Sequence, residues 1–519
     1  MKNEFLVCRS NEMYCGKERV LLRGFGLGGW LLPEGYMWQM EGKYDRPRRM
    51  EQLIETLCGM EYATSFWERY ESSYVTREDI EWIASLGFNS VRLPINARRL
   101  FRFSCRKAAF VPQTLDCIDR LIDWCRTYGI YVILDMHAAP GGQTGQNIDD
   151  SEKDLPELFL VPEYQENLCA AWELLAQRYA KEPVVAAYDL LNEPLPDFFR
   201  EYNEGVLPLY RLLIARIRAI DSNHMIMLEG AHWATDFSVL DDMTREEAAD
   251  NIALQFHRYW SAPDEESLDR YVAAAKRLDV PLYLGESGEN NLDWYTAMFP
   301  LCERLNIGWS FWSYKKMACD NSPVTFTRPA GWDRLMDHIK NGTETEIEQT
   351  EAQRIFDEFL SCVAKPVWNT RVIGALTRTP PFRLPCEAFD ASQIASRRID
   401  GAVLRMRERA SLLFRDGHVG EPDYRRLKGE PQPESETVVV RLSAGDAINF
   451  TVHIPAAPCH ATLLVYGEGD FAVTSNGNPA ACKRVGAGEY EFTLQDAGKI
   501  TLSILCTHGR IDADRIEFR

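Results

Sequence analysis

The sequence predicts a parallel (β/α)₈ barrel followed by an antiparallel β-sandwich. Three observations carry this expectation. From about residue 20 to residue 360, short apolar runs alternate with amphipathic helical stretches. Two of the runs, Tyr188-Asp189-Leu190-Leu191-Asn192-Glu193-Pro194 and Leu282-Tyr283-Leu284-Gly285-Glu286-Ser287-Gly288, end abruptly in a glutamate. Beyond a Pro- and Thr-rich stretch the pattern changes to strict alternation. A carboxylate closing a buried parallel strand stands on the face where this barrel keeps its chemistry.

The spacing predicts barrel strands over Leu21–Phe25, Ser90–Leu93, Tyr131–Met136, Ala187–Leu191, Met225–Glu229, Ile252–His257, Leu282–Glu286 and Gly308–Trp312. They are short and continuously apolar, as strands buried on both faces should be. Helices fall between them. Thr76-Arg77-Glu78-Asp79 caps Ile80–Leu86, which stops at Gly87, and Leu115–Tyr128 stops at Gly129. Gln165–Tyr179, Leu207–Ile220 and Ser267–Leu278 follow. Eight alternating pairs favour the barrel over a doubly wound sheet, which would also want a Gly-rich phosphate loop. Lys365–Pro385, with Thr377-Arg378-Thr379-Pro380-Pro381 inside it, reads as a linker. The barrel is therefore drawn over residues 1–370 and the sandwich over residues 386–519. Alternation over Thr437–Leu442, Ala447–Ile454, Ala461–Tyr466, Glu489–Leu494, Lys499–Leu505 and Asp514–Phe518 supports the second domain.

The 519 residues are too many for a single core, and two domains are expected. A net charge of −19 argues against nucleic acid or an anionic membrane as partner, since both call for basic surface. No apolar run reaches spanning length. Met1-Lys2-Asn3-Glu4-Phe5 does not open a signal peptide, which places the protein in the cytoplasm unless a leader has been removed. The 14 cysteines have neither metal-knuckle nor disulfide-framework spacing and read as reduced thiols. Nothing in the sequence fixes the oligomeric state.

Two carboxylates facing across a barrel mouth are the minimum kit for cleaving a glycosidic bond. Pro194 removes the next amide hydrogen and should bias Glu193 toward extended geometry, setting it at the rim. Gly285 and Gly288 should let backbone approach Glu286 closely. Glu229 also closes a strand, and Asp135 lies in Leu134-Asp135-Met136-His137. Both rank below the pair, Asp135 because it is expected to point into the barrel wall.

With these motifs in place the chain resembles glycoside hydrolase family 5, the cellulase-like retaining glycosidases, over roughly residues 20–360. Leu86-Gly87-Phe88-Asn89-Ser90-Val91-Arg92-Leu93-Pro94 looks like its second-strand motif, Leu134-Asp135-Met136-His137 like its third, Asn192-Glu193-Pro194 like its acid/base motif and His257-Arg258-Tyr259 like its sixth-strand His-x-Tyr. Glu286 and Trp312 match the nucleophile and the aromatic platform. The resemblance implies that Glu286 attacks the anomeric carbon while Arg92 and Tyr259 keep it ionised, and that Glu193 serves first as acid and then as base. Asn192 would bond the sugar 2-hydroxyl, His137 and His257 would line the sugar, and Trp312 would carry its apolar face. Plainer readings exist: a buried salt bridge for Arg92, satisfied core histidines for His137 and His257, core packing for Trp312. The resemblance implies no cofactor and no metal, since the first strand carries Phe25-Gly26-Leu27-Gly28 in place of a His-x-His pair. A carbohydrate or glycoside is the implied partner.

Arg23-Gly24-Phe25-Gly26-Leu27-Gly28-Gly29-Trp30-Leu31-Leu32-Pro33-Glu34 is similar to the opening of the family's exo-β-1,3-glucanase branch, as are His137-Ala138-Ala139-Pro140-Gly141-Gly142-Gln143 and Asp149-Asp150-Ser151. This implies an exo-acting β-glucosidase in which Glu34 grips the terminal sugar. An endo-acting β-glucanase or β-mannanase is the alternative within the family. A metal-dependent barrel hydrolase and an inactive sugar-binding protein are the alternatives outside it; inactive relatives typically lose one catalytic carboxylate, and the chain keeps both. The ending Gly509-Arg510-Ile511-Asp512-Ala513-Asp514-Arg515-Ile516-Glu517-Phe518 resembles carbohydrate-binding modules of families 6 and 35. All 13 tryptophans lie at or before Trp368, so a structural role is expected for that domain.

Overall fold

The computed structural model describes residues 4–40, 42–105, 107–341 and 347–519. By internal contacts the chain forms two units. The first comprises Met1–Arg258, Arg270–Ser287 and Asn306–Trp368; the second comprises Tyr259–Asp269, Gly288–Leu305 and Asn369–Arg519. A single boundary near residue 370 thus omits two short segments that precede and follow the seventh barrel strand.

The first unit is a closed parallel barrel of eight strands. In chain order they are Arg23–Gly26, Ser90–Asn96, Tyr131–Ala138, Val185–Asp189, Met225–Glu229, Ile252–His257, Leu282–Gly288 and Gly308–Trp312. All eight positions named from the apolar runs are strands. Helices stand between them as the periodicity demands. Arg77–Ser85 opens with a capping box made by Thr76 and Asp79, and Pro112–Tyr128 ends at Gly129, in the left-handed region at φ 76°. A three-stranded meander, Leu6–Arg9, Glu12–Cys15 and Glu18–Val20, precedes the barrel. Its Leu6, Met13 and Cys15 share an apolar cluster with Leu22, Tyr131, Met225 and Tyr283, residues at or near the N-terminal ends of barrel strands. The sequence reading missed this meander because its strands are three or four residues long and mixed in polarity.

The second unit holds two antiparallel sheets. One contains Ser411–Phe414, Val438–Ser443, Arg510–Phe518, Cys459–Gly467 and Glu489–Leu494; the other contains Ala447–Ile454, Gly498–His508 and Asp470–Ser475. Val440, Leu442, Leu463 and Ile516 of the first sheet and Phe450, Val452, Leu502 and Ile504 of the second fill one core, which makes the pair a sandwich.

The expected linker is not one. Thr370–Thr377 is a helix and Phe382–Pro385 is a strand paired antiparallel with Arg510–Phe518. The physical reason lies in Val372-Ile373-Gly374-Ala375-Leu376, an apolar run that the flanking prolines and threonines obscured. All five residues are buried. The Arg378 guanidinium is buried too and donates to Asp390, to the Thr296 carbonyl and to the Ala388 carbonyl.

Candidate active site

The register of the parallel strands decides which side chains meet. Asp135 on the third strand stands beside Asp189 on the fourth, and Glu229 on the fifth beside Gln255 on the sixth. An irregularity between Phe256 and His257 sets His257 opposite Glu286. Lateral neighbours share a face of a sheet, so four acids and a histidine gather inside the C-terminal end of the barrel.

Arg92 is the hub of this cluster. Its Nε donates to Asp189 Oδ2 at 2.8 Å, Nη1 to Glu286 Oε1 at 2.6 Å, and Nη2 to Asn192 Oδ1 at 2.8 Å and Glu229 Oε1 at 3.0 Å. Asp135 Oδ2 lies 3.2 Å from Nη2. A guanidinium cannot lose its proton, and its planar fork suits several carboxylates at once. Asp135 therefore points into the cluster and not into the barrel wall. It also contacts His137, with Nδ1 2.7 Å from Asp135 Oδ2.

Glu193 and Glu286 come together at the mouth. One oxygen from each, with one nitrogen of His257, lie within 4.8 Å of one another. His257 Nδ1 is 2.7 Å from Glu193 Oε1 and 3.6 Å from Glu286 Oε2, and Nε2 is 3.4 Å from Glu229 Oε1. Burial works against a charged His257, but Glu229, Glu286 and the hydrogen bond to Glu193 outweigh it and raise its pKa well above the ordinary histidine range. Burial drives His137 the other way, down to about 3, so its ring is neutral. Burial, with Glu229 adding to it at Asp189, pushes Asp135 and Asp189 well above the usual carboxylate range. Burial also opposes the charge of Glu229, yet His257 and Arg92 hold its pKa below normal. Two carboxylates and an imidazole could in principle hold a cation. A cation there would compete with the proton that the raised pKa of His257 retains.

Glu193 is not extended. Its φ is 44°, and Leu195 follows at 53°, both in the left-handed region that costs a non-glycine residue roughly 1–2 kcal/mol. Two hydrogen bonds hold this turn: the Glu193 amide donates to Glu229 Oε2 at 2.7 Å, and the Leu195 amide to the Gln143 carbonyl at 3.2 Å. Buried partners thus override the preference that Pro194 imposes, and strain sits at the rim residue itself.

Trp312 is 4% exposed and lies parallel to the His137 ring, with centroids 5.2 Å apart and planes at 5°. Its Nε1 donates to the Tyr36 hydroxyl at 2.9 Å. Gly26 and Gly28 make room for it, since a Cβ on either would stand 2.6 Å from the indole. Asn192 is fully buried, with Nδ2 3.3 Å from His137 Nε2. Glu34 is 2% exposed, immediately before the short 3₁₀ helix Gly35–Trp38 that carries Tyr36, and Asn147 Nδ2 lies 3.4 Å from its Oε2. Asp149 accepts from the Thr144, Gly145 and Ser151 amides, while Asp150 accepts from Asn96 and from the Arg48 amide. These two acids brace the loop that follows the third strand. Tyr259 belongs to the second unit, where its ring is 5.6 Å from Trp260.

Four members of the site were not named as such from the sequence. Asp189 and Gln255 sit inside apolar runs, and Glu229 was set below the pair as a rival acid. The Gln255 amide bridges Asp189 at 2.8 Å and Glu229 at 2.5 Å, and Gly285 has no Cβ because one would stand 2.2 Å from Gln255 Cδ. Gln143 donates to the His137 carbonyl at 2.7 Å and the Asn192 carbonyl at 2.9 Å. A polar residue inside a doubly buried strand was the available signal for Asp189 and Gln255. Gln143 closes the motif His137–Gln143, but its bond to the Asn192 carbonyl, 49 residues away, left no mark in the sequence.

Comparison with known proteins agrees with this picture. A beta-xylosidase of Phanerodontia chrysosporium is 32% identical over 240 residues, 46% of this chain and 48% of that protein. A probable glucan 1,3-beta-glucosidase A of Aspergillus niger is 28% identical over 302 residues, 55% of this chain and 68% of that protein. The chain spans about half the length of the first of these relatives. Among solved structures, endoglucanase Cel5A of Thermotoga maritima aligns at 20% identity with a TM-score of 0.39, covering 47% of this chain and 84% of its own. The family model described as cellulase (glycosyl hydrolase family 5) matches residues 54–318, more than half of the 519. The chain belongs to glycosyl hydrolase family 5.

Proposed function

We propose that this protein is a retaining β-glycoside hydrolase that removes terminal sugar units, with Glu286 as nucleophile and Glu193 as acid/base, and that it needs no metal. One observation carries the reading: the Glu193 and Glu286 oxygens lie within 4.8 Å. Retaining glycosidases hold their carboxyl groups about 5–5.5 Å apart, whereas inverting ones leave roughly 6.5–9.5 Å for a water.

In the first step Glu286 forms a bond to the anomeric carbon while Glu193 gives its proton to the departing oxygen. The result is an ester between sugar and protein. In the second step water attacks that carbon, Glu193 takes a proton from the water, and the ester breaks to return the Glu286 carboxylate. Arg92 Nη1 donates to Glu286 Oε1 at 2.6 Å and fixes the position of that carboxyl group. A proton on His257 offsets one negative charge in the pair whichever carboxylate carries it. Asn192, held by Arg92 through Oδ1 and by His137 through Nδ2, has its second amide hydrogen for a sugar hydroxyl. Trp312, fixed by Tyr36 and His137, offers a flat apolar surface.

The exo mode is supported by Glu34, which precedes the Tyr36 that bonds Trp312 and lies 3.4 Å from Asn147 of the braced loop. The test is product analysis on short β-glucans, before and after exhaustive chelation. Single sugars should appear first and the rate should survive the chelator. Early release of mid-length oligomers would defeat the exo mode, and loss of activity on chelation would defeat the metal-free one.

A further inference from the structure

The chain that leaves the fourth barrel strand carries aromatic side chains that folding leaves uncovered. In the 3₁₀ segment Asp197–Gly205 no residue is buried. Phe198 is 57% exposed, with its ring 5.0 Å from Phe199, whose ring is 6.3 Å from Tyr202. Two of its polar side chains serve each other, as Arg200 Nη2 donates to Asp197 Oδ2 at 3.1 Å.

A second feature adjoins it. The turn Ala231–Ala234 that follows the fifth strand lies against the same segment. His232, Trp233 and Ala234 have φ of 54°, 60° and 55°, three successive non-glycine residues in the left-handed region. The His232 amide pins the turn, donating to the Pro194 carbonyl at 3.1 Å and the Leu195 carbonyl at 2.7 Å. Trp233 is half-buried, and its indole has no hydrogen-bond or ring partner among the described residues. A strained turn is thus tied to the two residues that follow Glu193, and it presents an indole with no hydrogen-bond or ring partner among the described residues.

We propose that Phe198, Phe199 and Trp233 form a docking surface for an apolar leaving group, an alkyl or aryl aglycone. The proposal rests on reading Glu193 as the acid/base. That residue must hydrogen-bond the departing oxygen, so whatever hangs from this oxygen lies on the Glu193 side of the site. Phe198 is five residues from Glu193, at most about 18 Å along the chain, which is within reach of a medium alkyl chain or a fused aryl system. The three rings make the surface predominantly apolar, and Arg200 and Asp197 bond each other, which favours an apolar group over one rich in hydroxyls. An apolar patch rimmed by polar residues beside a reactive site marks a binding surface.

The test pairs n-octyl β-glucoside, kept below its micelle concentration, with methyl β-glucoside. Their affinities for Glu286→Gln are measured by calorimetry, alone and combined with Phe198→Ser or Trp233→Ser. Thermal midpoints serve to confirm that each variant is folded. The octyl probe should bind at least about tenfold more tightly than the methyl probe, and each serine substitution should bring that ratio toward one. Equal affinity for the two probes overturns the proposal, as does an octyl advantage untouched by both substitutions. So does sedimentation showing that the same residues instead hold two copies of the chain together. Wild-type turnover distinguishes the two readings: if no β-glycoside is hydrolysed while the octyl advantage persists and depends on Phe198 and Trp233, the roles given to Glu193 and Glu286 fail and the surface stands.

Discussion

Arg92 donates directly to Glu286, whereas Glu193 meets His257 through its side chain and Glu229 through its amide. Those neighbours set the proposed division of labour, and they can be tested singly. Glu193→Gln should lower kcat by about 10²–10⁴-fold on alkyl glycosides, the usual worth of general acid–base catalysis. The first step should suffer far less on aryl glycosides with acidic leaving groups, which depart without a proton. Steady-state kinetics across a leaving-group series reads this, and a uniform loss across the series would remove Glu193 from the acid role. His257 makes a second prediction. Its folded-state pKa stands well above the ordinary value of about 6.5. A raised pKa means that the folded protein holds the proton more tightly than the unfolded chain. The stability it contributes is complete below about pH 6.5 and is lost as pH climbs through the folded-state value. The thermal midpoint of the wild type should therefore fall on the alkaline side more steeply than that of His257→Gln. Parallel curves would contradict the assignment.

At the scale of elements, local signals worked where they coincided with burial. The capping box at Thr76 and Asp79 and the glycine stop at Gly129 mark real helix ends, and the eight apolar runs are the eight barrel strands. Local signals failed where composition and burial disagreed. Residues 365–385 carry turn-forming residues at both ends, yet Leu376 in the middle is 1% exposed and the helix Thr370–Thr377 packs against the helix Leu292–Arg304. Leu376→Ala should cost about 2–5 kcal/mol, as a buried leucine does, whereas in a true linker it would cost within about 0.5 kcal/mol. Chemical denaturation of the variant decides between these. The turn at Glu193 was misjudged for a related reason. A proline's influence on its predecessor is local, but the bond that holds Glu193 at φ 44° comes from Glu229, 36 residues away in sequence.

At the scale of the whole molecule, what could be read in advance was whatever the strand period dictates. A barrel of parallel strands brings strand-end residues together, so Glu193 and Glu286 could be placed at one mouth from their positions alone. The register between strands could not be read, and it is register that sets Asp135 beside Asp189 and Glu229 beside Gln255. The charge balance of the site was hidden for the same reason. One arginine and one protonated histidine are shared among five acids, two of which burial pushes toward the neutral form. The assignment of Tyr259–Asp269 and Gly288–Leu305 to the second unit is likewise a property of packing and not of composition.

The central claim is a covalent sugar–protein ester at Glu286, and trapping it is the most direct test. The protein is incubated with an activated 2-deoxy-2-fluoro β-glycoside, digested and analysed by mass spectrometry, and early products from an ordinary substrate are read by NMR. The account predicts one fluorosugar on the peptide that contains Glu286, together with a first-formed product of β configuration. A label on another carboxylate, or a first-formed α product, would contradict it.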